Sequence, residues 1–156
     1  MSGYSSVLRV AAANDRYGER RGLGVSTLEF KITPQDVPGV LVIENVFHSP
    51  GGPARHFHYE QDEWFYILEG KFTFEVGEER MELRPGDSLL GPRMVPHVWA
   101  FTGAGLGRML IAFYPAGKME AFFREVTKAN AMPPLDPQLW RAHGMELAGP
   151  PLVKPD

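Results

Sequence analysis

The chain contains no cysteine, which removes disulfide frameworks, thiolate nucleophiles and cysteine-ligated zinc in one step. It also lacks a basic excess. Lys and Arg number 16 against 19 Asp and Glu, a formal net charge of −3, so no surface is set up to neutralise a run of phosphates, and nucleic acid is not an expected partner. The one local basic cluster, "RYGERR" at Arg16 to Arg21, reads as solvated surface. Long apolar runs are missing too. "MLIAFY" falls far short of the roughly 20 residues that cross a bilayer, and "MSGYSSVLRV" has neither the basic start nor the apolar stretch of a secretory signal. A cytoplasmic protein without a membrane partner is the expectation, with its chemistry left to His, Glu, Asp and hydroxyl groups.

What is present suits one folded domain: 156 residues, 44% hydrophobic and 22% charged, are enough to enclose a core without staples. Short β-rich segments bounded by turn residues fill the stretch from Val25 to Tyr114, among them "VSTLEFKI", "VLVIENVF", "EWFYILEG", "KFTFEV" and "PHVWAF". Their close spacing predicts an antiparallel sandwich or barrel. In "KFTFEV" the apolar Phe72, Phe74 and Val76 alternate with polar residues, the pattern of a strand with one wet face. After Pro115 the period changes. Met119, Phe122, Phe123 and Val126 fall on one helical face while Glu120 and Arg124 pair on another, and a second helix is predicted with Asp136 as N-cap and Pro137 in its first turn. The domain plan is therefore an N-terminal extension (1–24), a β-unit (25–115) and C-terminal helices with an extended tail (116–156) packing on it.

The stretch "RHFHYEQDEWFYILEG" carries the chemistry. Residues two apart on a strand share a face, so His56 and His58 project together, about 6–7 Å apart along the backbone. Glu63 lies at an odd offset from His58 and would face the other way if the strand ran straight on, so "YEQDE" must turn or bulge. With that turn Glu63 joins the histidines, and His97 in "RMVPHVWAF" is the candidate fourth group. Three imidazoles and a carboxylate suit one divalent metal. By the same parity Phe65 and Ile67 share Glu63's face, and Trp99 and Phe101 share that of His97. A core role and a substrate-lining role stand side by side for these residues and for Phe47, whose neighbour His48 then points out. Trp64 and Tyr66 face the opposite way, predicting an outer surface covered by the C-terminal helix or by a second subunit in a homodimer. His143 belongs to the last turn of the second helix, where a cation suits the helix dipole.

The paired motifs resemble those of the cupin family. Its first motif, a glycine, His-any-His, a glutamate and a further glycine, is matched by His56, His58, Glu63 and Gly70. Only the leading glycine departs, Gly51 lying one residue nearer His56 than usual, with Pro50 in the usual place. The second motif is matched by Gly86, Pro92 and His97, with Met94 where the family has glycine and Phe101 where it has asparagine. The C-terminal "PAGKMEAFFREV" and "AHGMELAGPPL" look like the tail of single-domain cupins similar to quercetin 2,3-dioxygenases. The resemblance implies an all-β fold, a double-stranded antiparallel β-helix or jelly-roll-like barrel with a short helical extension. It implies one divalent metal held by His56, His58, Glu63 and His97, with Glu63 also able to take a substrate proton. Iron or manganese is favoured, and nickel, cobalt, copper and zinc are compatible. The implied activity is dioxygenation, with O2, of a small aromatic or enolic substrate lined by Phe47, Phe65, Ile67, Trp99 and Phe101. The alternatives are a non-redox isomerase, lyase or hydrolase and a small-molecule sensor.

Overall fold

The period-two alternation is realised as strands in two antiparallel sheets, in a computed structural model that describes residues 6–153. In chain order these are β1 (Gly22–Leu23), β2 (Ser26–Ile32), β3 (Leu41–Phe47), β4 (Ala54–His58), β5 (Asp62–Glu69), β6 (Phe72–Val76), β7 (Glu79–Leu83), β8 (Ser88–Gly91), β9 (His97–Phe101), β10 (Gly107–Tyr114) and β11 (Met145–Pro151). One sheet has the order β1-β2-β3-β10-β5-β8 and the other β11-β4-β9-β6-β7. Packed face to face, they form the jelly-roll barrel expected from the sequence. The inward residues of both sheets, including Phe30, Ile43, Phe65, Ile67, Phe72, Phe74 and Met109, are completely buried.

Two close approaches set how the strands meet. At Gly52 a Cβ would lie 2.0 Å from the carbonyl oxygen of Trp99, and Gly51 exchanges backbone hydrogen bonds with Phe101. "PGGPAR" is thus the turn that brings β4 alongside β9. Phe101 lies against Gly107, where a Cβ would come within 2.5 Å of its ring, and packs at a tilt on Phe47 and Phe72.

The C-terminal segment forms α1 (Met119–Val126), a single 3-10 turn (Thr127–Ala129) and α2 (Pro137–Ala142). The face of α1 predicted to be apolar is buried, Arg124 pairs with Glu120 at 2.9 Å, and the Asp136 carboxylate caps α2 by accepting the Gln138 N–H. Phe123 packs on Phe113, and Phe122 on Trp140.

Three expectations change. The extended tail goes further than packing on the barrel: β11 pairs with β4, placing Met145 opposite His58 and Leu147 opposite His56, so the C-terminal segment completes the sheet that carries both histidines. The helices do not cover the Trp64 face. Trp64 and Tyr66 stack on each other and Trp64 remains 40% exposed, because α1 and α2 are drawn to the apolar opening of the barrel instead. Within "RYGERR", Arg21 is buried rather than solvated. It pairs with Asp15 at 3.3 Å and lies over the Phe30 ring, while Asp15 accepts the Tyr17 and Phe30 N–H groups. A buried ion pair that also satisfies backbone donors fastens the N-terminal segment to β2.

Candidate metal centre

The odd spacing between His58 and Glu63 is resolved by a change of sheet. β4 ends at His58 in the five-stranded sheet, the chain crosses through residues 59–61, and β5 begins at Asp62 in the six-stranded one. His56 and His58 therefore point inward from one wall and Glu63 from the facing wall. His97 on β9 stands opposite His56 in the strand register. Its approach is a tight turn in which Met94 adopts φ 68°, a left-handed conformation that glycine takes without strain, and the Met94 N–H donates to the His58 carbonyl at 2.7 Å. One nitrogen or oxygen from each of His56, His58, Glu63 and His97 falls within 4.8 Å of all the others, and all four residues are buried.

Each ring is held from behind. His56 Nδ1 is 2.8 Å from the Ala54 carbonyl, His97 Nδ1 3.3 Å from the Val95 carbonyl, and His58 Nδ1 3.3 Å from Gln61 Oε1. Acceptors at Nδ1 call for the proton there, which turns the Nε2 lone pairs inward. His58 and His97 Nε2 lie 2.9 and 3.1 Å from Glu63 Oε1, and His58 Nε2 is not aligned for a hydrogen bond with any described residue. Lone pairs converging on a carboxylate repel one another unless a cation lies among them. The donor set therefore fits a divalent ion.

The electrostatics agree with that tautomer. Burial, reinforced by the neighbouring His97 and His58, holds the His56 imidazole well below its ordinary range and hence neutral. Burial pushes the Glu63 carboxyl up, but its contacts with His58 and His97 outweigh this and hold it well below the usual carboxylate range. Glu63 is ionised, as a metal ligand requires.

Three of the four, His56, His58 and Glu63, line a cavity of about 50 Å³. Of the five residues expected to line it, Phe47 and Trp99 do. Phe65, Ile67 and Phe101 lie behind the wall in the packed core, although Phe65 touches His97 edge-on. The remaining wall is largely apolar, with Met119, Phe122, Met132 and Trp140 from the C-terminal segment.

Residues 46–113 match the cupin domain family. The barrel has the cupin fold. Among solved cupins of similar fold is an RmlC-like cupin from Shewanella frigidimarina (20% identical, TM-score 0.58, covering 74% of this chain and 96% of that one). A second is the polyketide cyclase RemF from Streptomyces resistomycificus (22%, TM-score 0.58, covering 70% and 80%). A third, an oxalate decarboxylase variant from Bacillus subtilis (16%, TM-score 0.58), covers 73% of this chain and 31% of the enzyme. A curated relative, the uncharacterized protein MJ1618 of Methanocaldococcus jannaschii, is 33% identical over 60 residues, 38% of this chain and 48% of that protein. The match spans about half the relative's length.

Four residues of this site carry no motif. Asn45 follows from parity, since it precedes Phe47 by two on β3 and shares its inward face. It lines the cavity with its Nδ2 donating to the Thr27 carbonyl. Ser26 lines it too and donates to the Leu23 carbonyl. Gln61 and Trp140, whose ring lies 5.0 Å from that of His56, are brought in by contacts between distant segments and leave no periodic signal.

Proposed function

We propose that this protein is a metal-dependent dioxygenase acting on a small, largely apolar molecule that carries an enolic or phenolic hydroxyl. The observation that carries the reading is the buried His56, His58, Glu63 and His97 cluster, three of whose members line an apolar, aromatic-walled cavity. Three neutral imidazoles and one carboxylate leave a divalent site with net charge of about +1, which favours an anionic oxygen ligand. Iron or manganese is the favoured ion. The oxalate decarboxylase of Bacillus subtilis, which shares the fold, has Mn(II) centres.

The bound ion supplies Lewis acidity toward the substrate oxygen and a redox partner for O2. The protein's own residues do the rest. Glu63, ionised and next to the ligand histidines, takes the proton of the substrate hydroxyl as that oxygen becomes anionic. Phe47, Trp99, Phe122 and Trp140 exclude water, which strengthens every charge interaction within. Ser26 and Asn45, each with an N–H or O–H already committed to a backbone carbonyl, keep oxygen lone pairs for a hydroxyl elsewhere on the substrate. In a dioxygenation both oxygen atoms enter the product and the substrate supplies the electrons, so no reductant site is needed. The assembly in this reading is a homodimer that buries the outer face around Trp64, Tyr66 and Leu90.

The test is metal analysis of protein purified without added metal, followed by oxygen uptake against a panel of phenols and enols. Stoichiometric uptake with iron or manganese supports the reading; zinc alone at full occupancy with no uptake overturns it. Turnover without oxygen and with a redox-inert ion would reassign the site to an isomerase, lyase or hydrolase. Retention of a ligand without product would reassign it to a sensor.

A further inference from the structure

Gln61 lies in the crossing between β4 and β5 and is only 4% exposed, although it belongs to neither motif. Its Oε1 stands 3.3 Å from His58 Nδ1. Its amide is enclosed by two glycines of the C-terminal segment: at Gly117 a Cβ would lie 2.0 Å from Gln61 Nε2, and at Gly144 a Cβ would lie 3.6 Å from Oε1. Both glycines have positive φ, 53° and 82°. The crossing is fastened to the same segment by the Tyr59 N–H, which donates to the Gly144 carbonyl at 3.0 Å.

His58 differs from the other two histidine ligands in this respect. The rings of His56 and His97 are oriented by backbone carbonyls two residues away on their own strands, partners that no side-chain change removes. His58 depends on a side chain, and that side chain depends on space left by Gly117. We propose that Gln61 is a positioning residue that fixes the His58 tautomer with its proton on Nδ1, and that Gly117 and Gly144 hold it there, so that the C-terminal segment tunes the metal centre. The proposal rests on the metal-binding reading of the cluster. Without an acceptor at Nδ1, nothing holds the imidazole proton there, and the tautomer with its proton on Nε2, 2.9 Å from Glu63 Oε1, becomes available. That change withdraws one ligand lone pair from the cluster, the sort of loss that costs ten- to a hundredfold in metal affinity.

The experiment uses metal-free full-length protein and Co(II), measuring the dissociation constant by chelator competition, the visible spectrum of the loaded protein and the melting temperature without metal. Gln61→Met, close in shape but without an acceptor at that point, is expected to weaken Co(II) binding about ten- to a hundredfold and to alter the spectrum while melting near wild type. Gln61→Glu, which keeps the acceptor, restores affinity and spectrum. Gly117→Ala, which displaces the amide, behaves like Gln61→Met; should it not fold, the two Gln61 variants decide. Wild-type affinity and spectrum in Gln61→Met, or no rescue by Gln61→Glu, would overturn the proposal. Failure of the wild type to bind Co(II) would instead overturn the metal reading itself.

Discussion

Met94 occupies a left-handed backbone position, φ 68°, with its side chain 54% exposed. A non-glycine residue there costs about 1–2 kcal/mol, and glycine returns part of that by being freer in the unfolded chain. Met94→Gly is therefore expected to raise stability by up to about 1 kcal/mol in denaturant unfolding, with metal affinity unchanged. A drop in stability would mean that the exposed side chain makes contacts worth more than the strain. His56 makes the opposite kind of prediction. Its folded imidazole is held well below 6.5 by burial and then by His97 and His58, so below pH 6.5 the unfolded chain binds a proton that the native metal-free protein does not. Stability is full above that pH and falls on acidification, by about 1.4 kcal/mol per pH unit once the unfolded histidine is protonated. Glu63, held below the usual carboxylate range, adds to the loss below about pH 4.5 by the same sign. Metal-free melting curves from pH 8 to 5 should show the decline, and His56→Phe should flatten it.

At the scale of elements, the apposition of β4 and β9 decides whether the centre exists. It depends on Gly52, whose missing side chain lets backbone meet backbone at Trp99. Gly52→Ala should destabilise by about 1–3 kcal/mol through overpacking that rigid backbone cannot relieve, and should weaken metal binding because His56 moves away from His97. The helices were legible as helices because their apolar positions recur at helical spacing. Their place was not. Trp140 packs on His56 and Phe122, and its indole N–H donates to the Pro134 carbonyl, a contact set spread over more than 80 residues that no local period encodes. Trp140→Ala is expected to cost about 3–5 kcal/mol, whereas Trp140→Phe should lose less and enlarge the cavity, read as a change in which ligands bind.

At the scale of the molecule, the outer face of the six-stranded sheet presents the Trp64 and Tyr66 stack next to Leu90, which opposes Trp64 in register and is 55% exposed. Patches of this kind mark interaction surfaces. Sedimentation at micromolar concentration is expected to give a dimer that Trp64→Lys converts to a monomer with its metal site intact. A monomeric wild type would remove that assembly from the reading.

The sequence by itself determined which side chains face inward. Alternation along a strand is a property of the backbone, so His56 with His58, and Glu63 with Phe65 and Ile67, were assignable without knowing what lay opposite. It also carried the candidate metal ligands, because their spacing is read within two short segments. Only the tertiary structure decided that residues 59–61 cross between sheets, that the tail returns as β11 beside His56 and His58, and that Phe65, Ile67 and Phe101 lie behind the cavity wall while Asn45 and Trp140 line it. Those outcomes depend on which distant segments can approach within van der Waals contact, and approach is set by gaps such as those at Gly52 and Gly117, visible only when the neighbouring atoms are in place.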